Sequence, residues 1–481
     1  MTAGTLLHMG TKGPEDKFLY GNPKMTYFKN VFTKARNFAL EFNKIPKSDG
    51  KVDFGKTIRM EIPQTGDLLA GIYFDFRLKD LKRTIPYTEK NVVIDPETDT
   101  SSLFIDNTLE SRWTSYVNGI GYNIIKDVKL FIGGNLIQTL NAELIYLINE
   151  VHTEYNKTFS FRHMTKYSTN FSIGNTNNKN VRCHLQLPFY FSKDPGQYIP
   201  ICALTNSKIE IQITLREFEE CLVRDYNTTL EGAIIAGVDG YQFSGNSTIG
   251  KGDIPDTNEM YHEDVSGGIE YFDVITQNIY LDKEDQKLFR IAPKLDYMIE
   301  LYHIGNQEIF HNPVANSTYS VDIECKHPTK YIIWLLQRDD VNKGHIYENY
   351  TFDFELRYGD GFYPFDVDSH LLEETDILVN NTAIMDGIDP IFLSKTQIYE
   401  RFKGSTLNPF YLYNFALNPN SNEPTGTFNL SVYKKKTFQI RLVDEQNYTN
   451  NNKKTDILFR YYTSYFNILL ISDGMAGLLY N

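Results

Sequence analysis

Apolar residues alternate with polar ones at period two in several short runs, and this alternation predicts half-buried β-strands. Ile58, Met60 and Ile62 alternate with Thr57, Arg59 and Glu61. Thr65-Gly66-Asp67 then marks a turn, and Leu68 to Leu78 reads as the return strand of a hairpin. Val128, Leu130 and Ile132 form the next such face, before Gly133-Gly134 turns the chain into Asn135–Gln138. Two glycines suit a two-residue hairpin turn, whose central positions need positive φ. The cleanest alternation sets Ile209, Ile211, Ile213 and Leu215 against Glu210, Gln212, Thr214 and Arg216. Further on, Tyr271 to Leu281 reads as the opening strand of a second set, Lys330 to Leu336 as a continuously apolar strand, and Phe352, Phe354 and Leu356 as an alternating one. Phe428, Leu430 and Val432 with Phe438, Ile440 and Leu442 read as a hairpin around Lys434–Lys436, and Ile457 to Ile471 as a last long strand.

Helical spacing is rare. Leu140, Leu144, Leu147, Ile148 and Val151 predict a short amphipathic helix over 140–151. Asp282, with Asp285 in an acidic first turn, predicts a capped single short helix over 283–289. The polar, punctuated stretches 79–110, 155–180 and 358–390 read as surface loops, and 222–268 as linker plus loop. Phe18 to Phe42 interleaves Tyr27, Phe28, Phe32 and Phe38 with Lys24, Lys29, Lys34 and Arg36 in no simple period, and reads as an N-terminal arm. A chain of 481 residues is too long for one core. The expected architecture is all-β: an arm over 1–42, a first jelly-roll sandwich over 43–225, and a linker and second jelly roll over 226–481, with few short helices and long loops. The 33 Tyr and 32 Phe favour pleated, half-buried surfaces and so support the β assignment.

A net charge of −13 argues against a protein whose main task is wrapping nucleic acid. Lys434–Lys436 reads as a solvated turn. The cysteines, Cys183, Cys202, Cys221 and Cys325, are too few and too scattered for a disulfide framework and read as free thiols. The start MTAGTLLHMGTKG lacks the apolar core of a signal peptide, and no window is long and apolar enough for a membrane span. Gly133-Gly134 lacks the lysine and hydroxyl of a phosphate-binding loop. Cys183-His184 has poor metal geometry, since neighbours on a strand point to opposite faces. Glu219-Glu220 and Asp339-Asp340 are the carboxylate pairs a glycosidase could use, but paired acids are usually a solvated rim. Sequons scattered from Asn156 to Asn447 are expected by chance in an Asn-rich chain. No catalytic, cofactor-binding or metal residue is assigned, and no cofactor is expected. A sugar-binding or carbohydrate-active β protein is the competing class.

Several stretches resemble the major capsid proteins of nucleocytoplasmic large DNA viruses. They are Gly21-Asn-Pro23, Thr26-Tyr-Phe-Lys29 and Asn37-Phe-Ala39; Phe54-Gly with Gly66-Asp-Leu68; the Ile132-Gly-Gly134 turn; and Leu187-Pro-Phe-Tyr190 before Pro195-Gly196. His327-Pro328 before Trp334, Tyr413-Asn-Phe-Ala-Leu417, Glu423-Pro-Thr-Gly426 and the ending SDGMAGLLYN complete the order. Asn414, Glu423, Thr425, Leu430, Asp473 and Ala476 depart from the usual wording. The resemblance implies two jelly rolls per chain and a homotrimer of pseudo-hexagonal outline. It also implies an icosahedral shell, assembled in the host cytoplasm over an internal membrane with minor capsid and vertex proteins. Direct contact with nucleic acid is not expected.

Overall fold

The computed structural model describes residues 34–45, 52–83, 114–167, 180–224, 265–314, 317–351, 370–406, 408–443 and 453–480, with 2–11, 14, 21–24, 26, 28 and 449–450. The expected strand at Phe352–Leu356, most of the 79–110 loop and most of the 222–268 linker lie outside the described residues. Residues up to Phe38 form a unit of their own, with a helix α1 over Ala3–Gly10. Ala39–Asn481 form the other unit.

In the first half of the larger unit the strands are β1 (Phe38–Lys44), β2 (Thr57–Ile62), β3 (Leu68–Leu78), β4 (Ile125–Ile132), β5 (Asn135–Asn141), β6 (Arg182–Gln186), β7 (Ile209–Leu215) and β8 (Ile269–Leu281). They form two sheets, ordered β2-β7-β4-β5 and β1-β8-β3-β6. The second half has β9 (Lys294–Ile304), β10 (Thr318–Asp322), β11 (Pro328–Arg338), β12 (Leu372–Val379), β13 (Thr382–Ile388), β14 (Tyr411–Asn414), β15 (Lys436–Leu442) and β16 (Ile457–Ser472). Its main sheets are ordered β10-β15-β12-β13 and β9-β16-β11-β14. Each strand of the second half therefore takes the place of the strand eight earlier in the first, and the fold is a jelly roll made twice. A last strand, β17 (Met475–Leu478), pairs with β16 around a turn at Asp473-Gly474.

The strand patterns have simple causes. In β7 the isoleucines are buried and the polar residues half-buried, as alternation predicts. β4 and β5 are joined by Gly133 and Gly134, both at positive φ, which permits the tight turn. Between β5 and β6 lie α2 (Ala142–His152) and α3 (Tyr155–Thr165). Asn141 caps α2, its Oδ1 accepting the Leu144 N–H at 2.8 Å.

Several expectations need correction. β2 and β3 do not form a hairpin. The turn at 65–67 carries the chain from one sheet to the facing one, held by Asp67, whose carboxylate accepts the Leu281 N–H at 2.8 Å and Gln286 Nε2 at 2.6 Å. β8 does not open a second set. It pairs antiparallel with β3, from Tyr271 opposite Arg77 to Ile279 opposite Leu68, so a division near 225 cuts through the first sandwich. The chain leaves that sandwich only after Leu281, through α4 (Lys283–Ile291), capped by Asp282. Residues 39–42 of the expected arm lie in β1, beside β8, and Ile45 continues that ladder with its N–H on Val274 O at 2.8 Å. The expected 155–180 loop contains α3, which buries Phe161 and Thr165, and the expected 358–390 loop contains β12 and β13. The hairpin expected over 428–442 is absent, because Phe428–Asn429 pairs with β11 while β15 lies in the other sheet. Lys436 is buried rather than solvated, its ammonium donating to the carbonyls of Cys325 at 2.7 Å and Leu430 at 3.1 Å.

Candidate functional site

The two sandwiches meet along α2, and the larger apolar cluster contains residues of both, Leu144 and Ile148 as well as Ile299, Leu301, Ile333 and Leu412. Into this seam the strands of the second sandwich carry charged groups. On β16, Arg460 makes a bidentate pair with Glu143 of α2, Nε and Nη2 each donating at 2.8 Å. Tyr350 Oη at 3.2 Å and Tyr462 Oη also donate to that carboxylate. A planar fork on a carboxylate with added hydroxyl donors fixes orientation as well as proximity.

A second cluster centres on Glu300 of β9, which is 3% exposed. Its Oε2 accepts Lys330 Nζ of β11 at 3.1 Å and Lys193 Nζ of the first sandwich at 3.3 Å, while Ser464 Oγ donates to Oε1. Burial alone would push the Glu300 carboxyl up, but the two ammonium groups outweigh it and hold it well below the ordinary range. Lys193 also donates to Tyr302 Oη at 2.8 Å. His152, at the end of α2, lies 2.8 Å from Tyr331 Oη through Nε2, and burial, aided by Lys193, lowers its pKa to about 3, so it is neutral.

Two further acids in the seam behave differently. Glu348 accepts hydrogen bonds from Tyr122 Oη at 2.9 Å and Asn123 Nδ2 at 2.5 Å, both from the first sandwich. Burial raises its pKa to about 7, against the downward pull of those two donors. Glu150 is likewise raised to about 7 by burial, with Arg162 no closer than 3.9 Å. A polar cavity of about 430 Å³ lies between Glu143, Glu348, Arg216, Tyr347 and Arg460. Backbone contacts finish the seam: Gly404 N–H donates to Val151 O at 2.9 Å, and Asn206 N–H to Gly474 O at 3.0 Å.

The residues weighed from sequence are not brought together. Cys183 is buried while His184 is exposed, Nδ1 lying 3.5 Å from Asp75 Oδ1. Glu219 and Glu220 sit in a 3₁₀ turn before Cys221, and Asp339 pairs with Lys343 at 2.8 Å at the end of β11. The cysteines are buried and unpaired, and no cluster of metal-ligating side chains occurs among the described residues. Sequence reading missed the seam. Its one local signal was a charge inside an apolar strand, Lys330 in KYIIWLL and Arg460 in ILFRYY; buried charges of this kind require partners.

A family described as "Major capsid protein N-terminus" matches residues 26–263, and one described as "Large eukaryotic DNA virus major capsid protein" matches 290–477. The major capsid protein of Paramecium bursaria Chlorella virus 1 is 24% identical over 99% of each chain. Probable capsid protein 4 of Acanthamoeba polyphaga mimivirus is 23% identical over 99% of each. Among solved structures, a chain of the PBCV-1 virus capsid superposes with a TM-score of 0.68 at 20% identity, covering 95% of this chain and 100% of that one. The Faustovirus major capsid protein does so at 0.65 and 13% identity, over 97% and 96%. These last two likenesses are of fold.

Proposed function

The chain belongs to the major capsid proteins of large eukaryotic DNA viruses, and from that membership we propose that three copies close into a capsomer of pseudo-hexagonal outline that tiles an icosahedral shell. Its place is the capsid shell of the virion, and its role is structural rather than enzymatic. The observation that carries the proposal is the repeated strand order: three chains with two like sandwiches each supply six like bodies around a threefold axis. Large aromatics left on the surface of the single chain, Tyr155, Phe159 and Tyr399, are the residue types enriched at interfaces and add support.

A cyclic threefold contact joins unlike surfaces, so the first sandwich of one copy faces the second sandwich of the next. Such an obligate contact buries on the order of 2,000 Å² or more. Neighbouring capsomers, minor capsid and vertex proteins then complete the shell. It lies over an internal membrane, is built in the host cytoplasm and has no direct contact with nucleic acid, in keeping with the charge of −13. Light scattering on purified protein tests the trimer: three chains of 55.7 kDa give about 167 kDa. A monomer persisting at micromolar concentration in physiological salt would overturn it.

A further inference from the structure

The Glu300 cluster is out of charge balance. Two ammonium groups, Lys193 and Lys330, converge on one carboxylate, and among the described residues no second carboxylate lies within ion-pair distance of either. Lys330 is 1% exposed and has two of its three donors on Glu300 and the Ser421 carbonyl, the latter at 3.0 Å. Lys193 is the outer of the two, and beside it a cavity of about 270 Å³ opens between the sandwiches. Lys403 lines the same cavity from the second sandwich. Its acidic neighbour, Glu154, is 3.8 Å away and shared with Lys157 at 3.4 Å. The remaining walls are mixed, with Asn149, Asn420 and Asn422 beside Ile148, Pro188 and Pro419. Lys193 is about one-fifth exposed and Lys403 more than half, so both ammonium groups reach the cavity, and their positive charge attracts a counter-ion there.

We propose that the cavity between Lys193 and Lys403 binds a small tetrahedral oxyanion of the phosphate class, which ties the first sandwich to the second. A phosphate group offers each ammonium a charged acceptor oxygen and leaves others for water or the amide groups. Glu300 also borders the cavity and repels an anion, but its charge is already met by two ammonium groups. The ligand bridges residues of both sandwiches, so it stabilises the fused form specifically. The inference rests on this geometry and stands whether or not the chain forms trimers.

The probe is inorganic phosphate, titrated into the full chain against chloride at matched ionic strength, with thermal unfolding and calorimetry as readouts. Phosphate is expected to raise the melting temperature saturably, as a ligand of the folded state does. Lys403→Met, which leaves the Glu300 pairs intact, should weaken phosphate binding about tenfold or more, the loss of one charge-assisted contact. Lys193→Met should abolish the shift, provided the variant folds; Lys403→Met decides the matter otherwise. Equal melting temperatures in phosphate and chloride, or an undiminished phosphate response in Lys403→Met, would overturn the proposal.

Discussion

Gly404 shows how closely the two sandwiches approach. A Cβ at this position would lie 1.9 Å from the Glu150 carbonyl oxygen and 2.5 Å from that of Val151, both backbone atoms at the end of α2 that cannot swing aside. Gly404→Ala should therefore cost about 2–3 kcal/mol by overpacking the seam, read by urea denaturation. A loss below about 0.5 kcal/mol would show that the seam yields. Glu348 carries a second residue-scale consequence. Its pKa lies near 7 in the folded chain, against an ordinary carboxylate value of 4.5. Between those values the folded form keeps a proton that the unfolded chain releases, so stability falls as pH rises through the window and levels off above it. Glu348→Gln keeps an acceptor for Tyr122 and Asn123 without the charge. The variant should be more stable than the parent at pH 8, by on the order of 2–3 kcal/mol, and no more stable at pH 4. An unchanged difference across that range would mean Glu348 is ionised without penalty.

The two halves use the same elements with different residues, which decided what could be read from sequence. β4 and β5 turn through Gly133-Gly134; their counterparts β12 and β13 turn through Asn380-Asn381, at φ +48° and +65°. Asparagine is the other residue that tolerates this region, yet Asn-Asn in a polar stretch read as loop and hid two strands. Asn381 also accepts Lys435 Nζ at 3.1 Å. Asn381→Val should cost about 1–2 kcal/mol, because a β-branched residue strains at positive φ. Asn381→Gly should be nearly neutral, and equal stability of the two variants in denaturant would remove the argument. β7 was legible because one face is buried and one is half-exposed. β3 is buried almost throughout, so nothing in its pattern told which sheet it joined. α3 was missed because it buries only Phe161 and Thr165, and so carries no apolar stripe. The seam was illegible for another reason: its partners are far apart in the chain, Glu143 and Arg460 by 317 positions.

At the scale of the whole molecule, the chain is woven rather than beaded. The first sandwich takes its strand β8 from beyond residues 225–264, so the described residues on both sides of that stretch belong to the first sandwich. β8 lies between β1 and β3, burying Phe272, Val274 and Ile279, and leads straight into α4 and the second sandwich. The seam adds the Lys193–Glu300 pair and the Glu143–Arg460 pair, and rupture of the latter would leave charges buried without ionic partners, at about 3–5 kcal/mol. A single cut between 225 and 264 should therefore sever the backbone without separating the pieces. A protease site inserted after Gly240 would test this. Cleaved protein should give two bands on a denaturing gel but elute as one species of unchanged size under native conditions. Two native peaks after cleavage would mean that β8 belongs to its own half alone, and that a division near 225 describes the molecule better than the sheets do.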